Sequence, residues 1–144
     1  MVRNPNFIFL TFSYINVGIY QLWYTIFMQW YIEFYETERG RKPVEEFLKD
    51  LPGSHETKVN ILIQRLSQEG NMLGFPFTKT ISGKLRELRI QVSPNAYRIF
   101  YFLFAGRKII LLHAFTKKSQ EIPRKEIEVA KDRMKNYIRR HKND

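Results

Sequence analysis

Three apolar segments separated by two short turns constrain the fold more than any other feature of this sequence. The segments are Leu85–Val92, Tyr97–Phe104 and Lys108–Phe115, and the turns cover residues 93–95 and 105–107. Short turns that contain Pro, Asn or Gly join neighbouring strands running in opposite directions. The middle segment is apolar at both alternating positions, which is typical of a central strand covered on both faces. The sequence therefore predicts an antiparallel meander.

A strand and two helices are predicted before the meander. Gln29–Tyr35 alternates apolar and polar residues, as a strand does. Pro43 occupies a first helical position, and apolar residues at helical spacing follow it. A Pro-Gly pair at 52–53 ends this helix, Ser54 is the predicted N-cap of a second one, and Gly70 is its predicted C-terminal glycine. Helices joined by so short a break are expected to pack side by side on the sheet.

The remaining segments complete the predicted architecture. Residues 70–83 show little periodicity and are predicted to form a loop, whereas Pro123–His141 is predicted to form a helix with one apolar face. We therefore predict an α+β fold: a small antiparallel-rich sheet with two helices packed on one face, and a C-terminal helix. This domain is expected to span residues 28–141.

Positive charge is concentrated in and just after the meander. The chain of 144 residues has 24 Lys and Arg against 14 Asp and Glu, a net charge of +10. Residues 75–125 contain eleven basic and two acidic side chains, so this segment alone carries +9. Charge clustered on strands indicates a nucleic-acid partner more strongly than a merely solvated basic face.

The sequence lacks cysteine, which excludes disulfides and thiolate catalysis. Its three histidines, His55, His113 and His141, are too dispersed to suggest a metal cage. We expect chemistry that uses neither a metal ion nor another cofactor.

Residues 1–27 form an aromatic-rich extension with one charged side chain, Arg3. The preferred interpretation is a mis-assigned start, with translation beginning at Met28. The next is a membrane anchor or partner-binding extension, since Asn4–Ile32 is uncharged and longer than the roughly 20 residues that span a bilayer. The third is an additional strand or helix of the fold.

Three motifs follow one another along the meander: LRELRI at 85–90, AYRIFYFL at 96–103 and the HAFTKK turn at 113–118. In this order they resemble the RelE/HigB superfamily of type II toxin–antitoxin toxins, in particular its phage-derived HigB-like subgroup. The resemblance covers residues 28–133. It implies a sheet with helices on one face and an open cleft on the other, metal-independent mRNA endoribonuclease (mRNA interferase) activity, and inhibition by an antitoxin.

Four side chains are the candidate catalytic residues. Cleaving RNA without a metal requires a base for the ribose 2′-hydroxyl, cations around the phosphorane and an acid for the leaving oxygen. Glu87 and Arg89 are predicted to share one strand face, and His113 ends the third strand. Arg98 resembles the phosphate-contacting arginine of the family's Y-R motif. The alternatives are a structural ion pair for Glu87 and Arg89, a solvated strand-end charge for Arg98 and a hydrogen-bonded sheet histidine for His113.

Further cations are candidates for binding RNA or phosphate rather than for catalysis. These are Lys84, Arg86, Lys117, Lys118, Arg124 and Lys125. Lysines act as point charges toward phosphate, so phosphate binding is the preferred interpretation of the lysine pair, and an ordinary solvated turn is the alternative. Arg133 is expected to contact an RNA backbone as well.

Other functions remain open from sequence. A ParE-like inhibitor of DNA gyrase would need no catalytic side chains, and a non-catalytic nucleic-acid-binding phage accessory protein would have the same electrostatics. The predicted partners are mRNA, the ribosome and a cognate helix-turn-helix antitoxin, in the cytoplasm.

Overall fold

The computed structural model describes residues 18–19, 22–23 and 28–143. The interpretations of the extension 1–27 therefore fall largely outside the described residues. In the described part of the chain, no helix is long and apolar enough to cross a membrane.

In residues 28–143, five strands form one mixed sheet in the order β1-β5-β4-β3-β2. Strand β1 pairs parallel with β5, and the other neighbouring pairs are antiparallel. The predicted meander is confirmed as β3, β4 and β5. The strand bounds are β1 Tyr31–Phe34, β2 Thr78–Ser82, β3 Leu85–Val92, β4 Asn95–Phe104 and β5 Lys108–Lys117.

Three α-helices lie between and after these strands in residues 28–143. They are α1 Pro43–Lys49, α2 Gly53–Glu69 and α3 Arg124–Arg140, and a 3-10 turn, Gly70–Met72, follows α2. Pro43 is the first residue of α1, as predicted. Ser54 does not cap α2, because the helix already begins at Gly53 and Pro52 occupies the cap position. The predicted loop 70–83 was wrong in part, because it contains β2.

The two faces of the sheet bury separate apolar cores. On the first face, α1 and α2 cover the side chains of Ile99 and Tyr101; on the second face, α3 covers those of Phe100 and Phe102. Alternate residues of β4 thus enter opposite cores, which confirms that the middle strand is covered on both faces. The prediction of an open cleft across the second face is wrong in part, because α3 covers part of that face.

Gly70 ends α2 in a conformation that only glycine adopts easily. Its φ of 54° and ψ of −126° lie outside the regions open to other residues, and its N–H donates to the Leu66 carbonyl. An added Cβ would lie 1.9 Å from Nε1 of Trp30. The backbone N–H of Trp30 in turn donates to the Ser67 carbonyl at 2.7 Å. The predicted C-terminal glycine therefore also lies where the end of α2 packs against Trp30, just before β1.

Candidate active site

The four predicted catalytic side chains share the second face of the sheet. Arg89 of β3 lies opposite Arg98 of β4, and Glu87 lies opposite Phe100, which is itself opposite His113 of β5. The predicted period-two placement of Glu87 and Arg89 therefore holds. Glu87 and His113 stand on either side of β4, with Arg98 one pleat, roughly 7 Å, further along.

A β-bulge brings His113 to this face. The pairing between β4 and β5 shifts by one residue between Phe100 and Tyr101, so that Leu112 is an extra residue in β5. Leu111 packs in the first core and Leu112 in the second, so His113 and Leu112 lie on the same face. Simple alternation would place His113 on the same face as Leu111, and the bulge moves it to the opposite face.

Arg98, Arg89 and Glu87 form a largely buried charge cluster. Glu87 Oε2 lies 3.7 Å from Arg98 Nε, and its Oε1 lies 3.7 Å from Arg89 Nε. Glu87 is 3% exposed and Arg98 is 6% exposed, and Arg98 Nη1 also donates to the Tyr97 carbonyl at 2.9 Å. Burial lowers the pKa of Arg98, and Arg89 acts in the same direction, while Glu87 opposes both. Glu87 therefore forms the structural ion pair that was the alternative to a catalytic role, with two arginines as its partners.

His113 belongs to a second cluster with two residues of α3. Its Nε2 contacts Glu126 Oε2, and its Nδ1 lies 3.1 Å from Arg133 Nη1. A guanidinium can only donate, so Nδ1 accepts and Nε2–H donates to Glu126. Burial lowers the pKa of His113, and Arg133 adds to this effect, while the hydrogen bond to Glu126 opposes it. The imidazole is therefore neutral, in one tautomer, near neutral pH.

Arg133 anchors both the histidine and the bulge. Besides contacting His113, its Nη1 donates to the carbonyl of Leu112, the extra residue of β5, at 2.9 Å. Burial lowers the pKa of Arg133 as well. The structure thus places Arg133 in a packed network, where it supports His113, rather than on the expected RNA-contacting surface.

The two clusters open into different clefts. Arg89 and Arg98 line one of about 600 Å³ at the outer edge of β3, together with Lys58 of α2. His113 lines another of about 470 Å³ where β5 leads into α3, and Lys118 is there too. Glu87 lies behind the two arginines and lines neither cleft. No pattern in the sequence indicated this division.

Of the remaining predicted cations, Lys125 lines one of the two clefts and the others line neither. Lys117 ends β5 opposite Ala96, and Lys125 lines the cleft of His113. Arg124 is exposed and pairs with Glu128 at 2.8 Å. Lys84 and Arg86 lie at the other end of β3, five and three residues before Arg89, and are not brought to either cleft.

Sequence reasoning missed several residues of these clefts. Glu126, which orients His113, is thirteen residues from it, and no motif links the two. Lys58 and Phe75 line the cleft of Arg98 but come from a helix and a loop. The one usable signal was the acidic residue in the first turn of α3. Among the described residues, no three His, Asp or Glu side chains are grouped so that they could hold a metal ion.

A pH dependence of stability follows from the environment of His113. Between its lowered pKa and the ordinary value of 6.5, the unfolded chain binds a proton that the folded protein does not. The free energy of unfolding should therefore fall as the pH falls through this window. Urea unfolding of the wild type and of His113→Gln at about pH 7.5 and about pH 5.5 checks this. The wild type should lose more stability, and an equal loss in both proteins would contradict the assignment.

Comparison with known proteins identifies the family. Residues 46–135 match the family model described as phage-derived protein Gp49-like (DUF891). Two proteins named "Probable endoribonuclease HigB1", from Mycobacterium tuberculosis strains CDC 1551 and H37Rv, are each 32% identical to this chain over 100 residues. The alignment covers 69% of this chain and 78% of each relative. The chain therefore belongs to the Gp49-like family of phage-derived proteins, the HigB-type group that its motifs resemble.

Proposed function

We propose that this protein is the toxin of a type II toxin–antitoxin system and acts as a metal-independent endoribonuclease on mRNA. The observation that carries the proposal is the pair Arg98 and Arg89, held by a buried carboxylate and lining a cleft. The printed name of the mycobacterial relatives and the +9 charge of residues 75–125 support it. Guanidinium groups fixed before the substrate arrives stabilise a phosphorane without reorganising.

In the proposed mechanism, Arg98 and Arg89 bind the scissile phosphate. The 2′-oxygen attacks phosphorus, the bond to the 5′-oxygen breaks, and a 2′,3′-cyclic phosphate and a 5′-hydroxyl form. Glu87 and His113 are the candidates for taking the proton from the 2′-hydroxyl and supplying one to the 5′-oxygen. Because Glu87 lines neither cleft and His113 lines the other one, the bound RNA must reach from Arg98 across β4 towards β5. For His113 to do so, its contact with Glu126 or Arg133 must open when RNA binds, since both ring nitrogens are engaged. Glu87 must exchange one of its arginine contacts.

Cleavage products and chelation test this function. Purified protein incubated with RNA should leave 2′,3′-cyclic phosphate ends, and activity should persist in EDTA. Induced expression should fragment transcripts. Activity lost on chelation would contradict the metal-independent mechanism. Growth arrest with intact transcripts and gyrase-linked DNA breaks would favour the gyrase-inhibitor alternative instead.

The lysines after β5 are proposed to bind the RNA backbone. Replacing both Lys117 and Lys118 by alanine should weaken binding and lower the salt slope by roughly 1.4, since each contact to single-stranded RNA contributes about 0.7. Titrations at several salt concentrations measure the slope. Lys135→Ala, an exposed lysine on α3, is the matched control and should leave it unchanged. Equal slopes in the double variant and the wild type would show that this pair binds no phosphate.

We further propose a cognate helix-turn-helix antitoxin, action on the ribosome, and a cytoplasmic location. The resemblance to type II toxin–antitoxin toxins supports the first, because toxins of that class are paired with an antitoxin. Copurification of the two proteins from cells that also express the neighbouring gene tests the pairing with an antitoxin. Cosedimentation of this protein with ribosomes tests action on the ribosome.

A further inference from the structure

The cleft beside Arg98 combines an exposed aromatic ring with cationic walls. It opens where β2 stops covering the edge of β3: the last contact is the Arg89 N–H, which donates to the Phe77 carbonyl at 2.7 Å. Ile90 and Gln91 continue along that edge and line the cleft. Helix α2 forms one wall, and the loop after the 3-10 turn forms the other.

Phe75 is the unusual member of this cleft. It is 85% exposed, and Ile61 across from it on α2 is 60% exposed. Among the described residues, Phe75 makes no ring–ring or cation–π contact. The nearby Phe77, by contrast, is covered by the Arg65 guanidinium, which lies 4.4 Å from its ring centre. A large apolar side chain left in water beside a cleft indicates a binding site.

The charges around Phe75 indicate that the ligand is an anion. Lys58, Arg89 and Arg98 line the cleft, and no carboxylate is among the described residues that line it. Glu87, behind the arginines, offsets only part of this charge. The volume of about 600 Å³ lies within the range of small-molecule sites. A ligand that is flat and apolar at one end and anionic at the other matches these walls.

We propose that this cleft binds one unpaired nucleobase of the RNA next to the scissile phosphate, with the base stacked on Phe75 and flanked by Ile61. The inference rests on the proposed function, since it takes Arg98 and Arg89 as the phosphate site. Proteins bind single-stranded RNA by stacking bases on aromatic side chains beside cationic grooves. Phe75 is then a positioning residue that aligns the neighbouring ribose and phosphate with Arg98.

The test uses the full chain and a fluorescent single-stranded 2′-O-methyl oligonucleotide, which binds but cannot be cleaved. Phe75→Ala should weaken its binding by about tenfold, as the loss of one stacked base does. Phe75→Trp should keep or improve the affinity. Met72→Ala is the matched control, because Met72 is 82% exposed in the preceding turn but does not line the cleft. It should bind as the wild type does. Since Phe75 is exposed, all variants should unfold at the wild-type temperature.

An oligonucleotide with one abasic position separates stacking from a general loss of affinity. The wild type should bind it about tenfold more weakly, and Phe75→Ala should add little to that loss, because the two changes remove the same contact. Unchanged affinity of Phe75→Ala for the normal oligonucleotide, or no binding by the wild type, would overturn the proposal. Weaker antitoxin binding by Phe75→Ala with RNA affinity intact would also overturn it and make the cleft a protein-docking surface. The same measurements on RNA with free 2′-hydroxyls separate the two proposals. If the protein binds this RNA, binds it more weakly after Phe75→Ala, and never cleaves it, the nuclease function is wrong but the base-binding site is supported.

Discussion

Arg98→Ala is expected to slow RNA cleavage by about a hundredfold or more, the usual effect of removing one fixed group that stabilises transition-state charge. Arg98 is nearly buried, aimed by the Tyr97 carbonyl and by Glu87, and lines the cleft where we place the phosphate. Single-turnover cleavage of a short RNA at saturating protein measures the effect on chemistry apart from binding. Arg98→Lys keeps the charge but loses the planar fork, so it should recover only part of the rate.

Arg98→Ala is also expected to affect folding, so a second variant is needed. Without Arg98, Glu87 becomes a buried carboxylate with one partner fewer, which costs about 3–5 kcal/mol of unfolding free energy in typical buried pairs. The double variant Glu87→Gln with Arg98→Ala removes that charge and should regain stability. Because Glu87 is itself a candidate for proton transfer, Glu87→Gln alone is the reference, and the double variant should cleave RNA more slowly than it does. A stable double variant that is as active as Glu87→Gln would show that Arg98 acts only through the fold.

Gly70→Ala is expected to lower the free energy of unfolding by about 3 kcal/mol or more. A backbone conformation reserved for glycine costs a side chain about 1–3 kcal/mol, and here the new methyl group would also overlap the Trp30 ring. The ring must move out of the first core, where it packs against the buried cluster. Urea unfolding followed by tryptophan fluorescence measures both the loss of stability and the displacement of Trp30.

Gly53→Ala provides the matched control. Gly53 is the first residue of α2, and a Cβ there would have nothing within 4 Å. The substitution restricts the unfolded chain and should be neutral or stabilise by up to about 1 kcal/mol. Similar losses in both variants would mean that the effect at position 70 is a general cost of replacing a helix-end glycine.

Local sequence patterns were sufficient for most of the fold. The meander was predictable because each strand is a continuous apolar run and its turns contain residues with turn geometry. Strand β2 was not, because TKTIS contains one strongly apolar residue and is held by pairing with Leu85–Leu88. Ser54 failed as a cap because the helix starts one residue after Pro52, whose backbone already has the required extended conformation.

The candidate site was predictable only in part. Period two placed Glu87 and Arg89 together, and the antiparallel pairing brought Arg98 opposite Arg89. The contact of His113 with Glu126 depends on how α3 packs across the sheet, which no local pattern encodes. The exposure of Phe75 is likewise a property of the surrounding surface. An apolar residue in a loop does not by itself indicate whether it is buried.

The bulge in β5 changes which face the side chains of that strand meet. Before Leu112 the side chains fill both cores; from His113 onward they line a cleft in shifted phase, and Ala114 and Phe115 among them still pack in the two cores. Substitutions before the bulge should alter stability, whereas substitutions of Ala114 or Phe115 should alter both stability and the shape of the cleft. A different strand ending grafted after Leu112 must therefore keep apolar side chains at positions 114 and 115. Such a graft must retain Arg133, or another donor, for the Leu112 carbonyl.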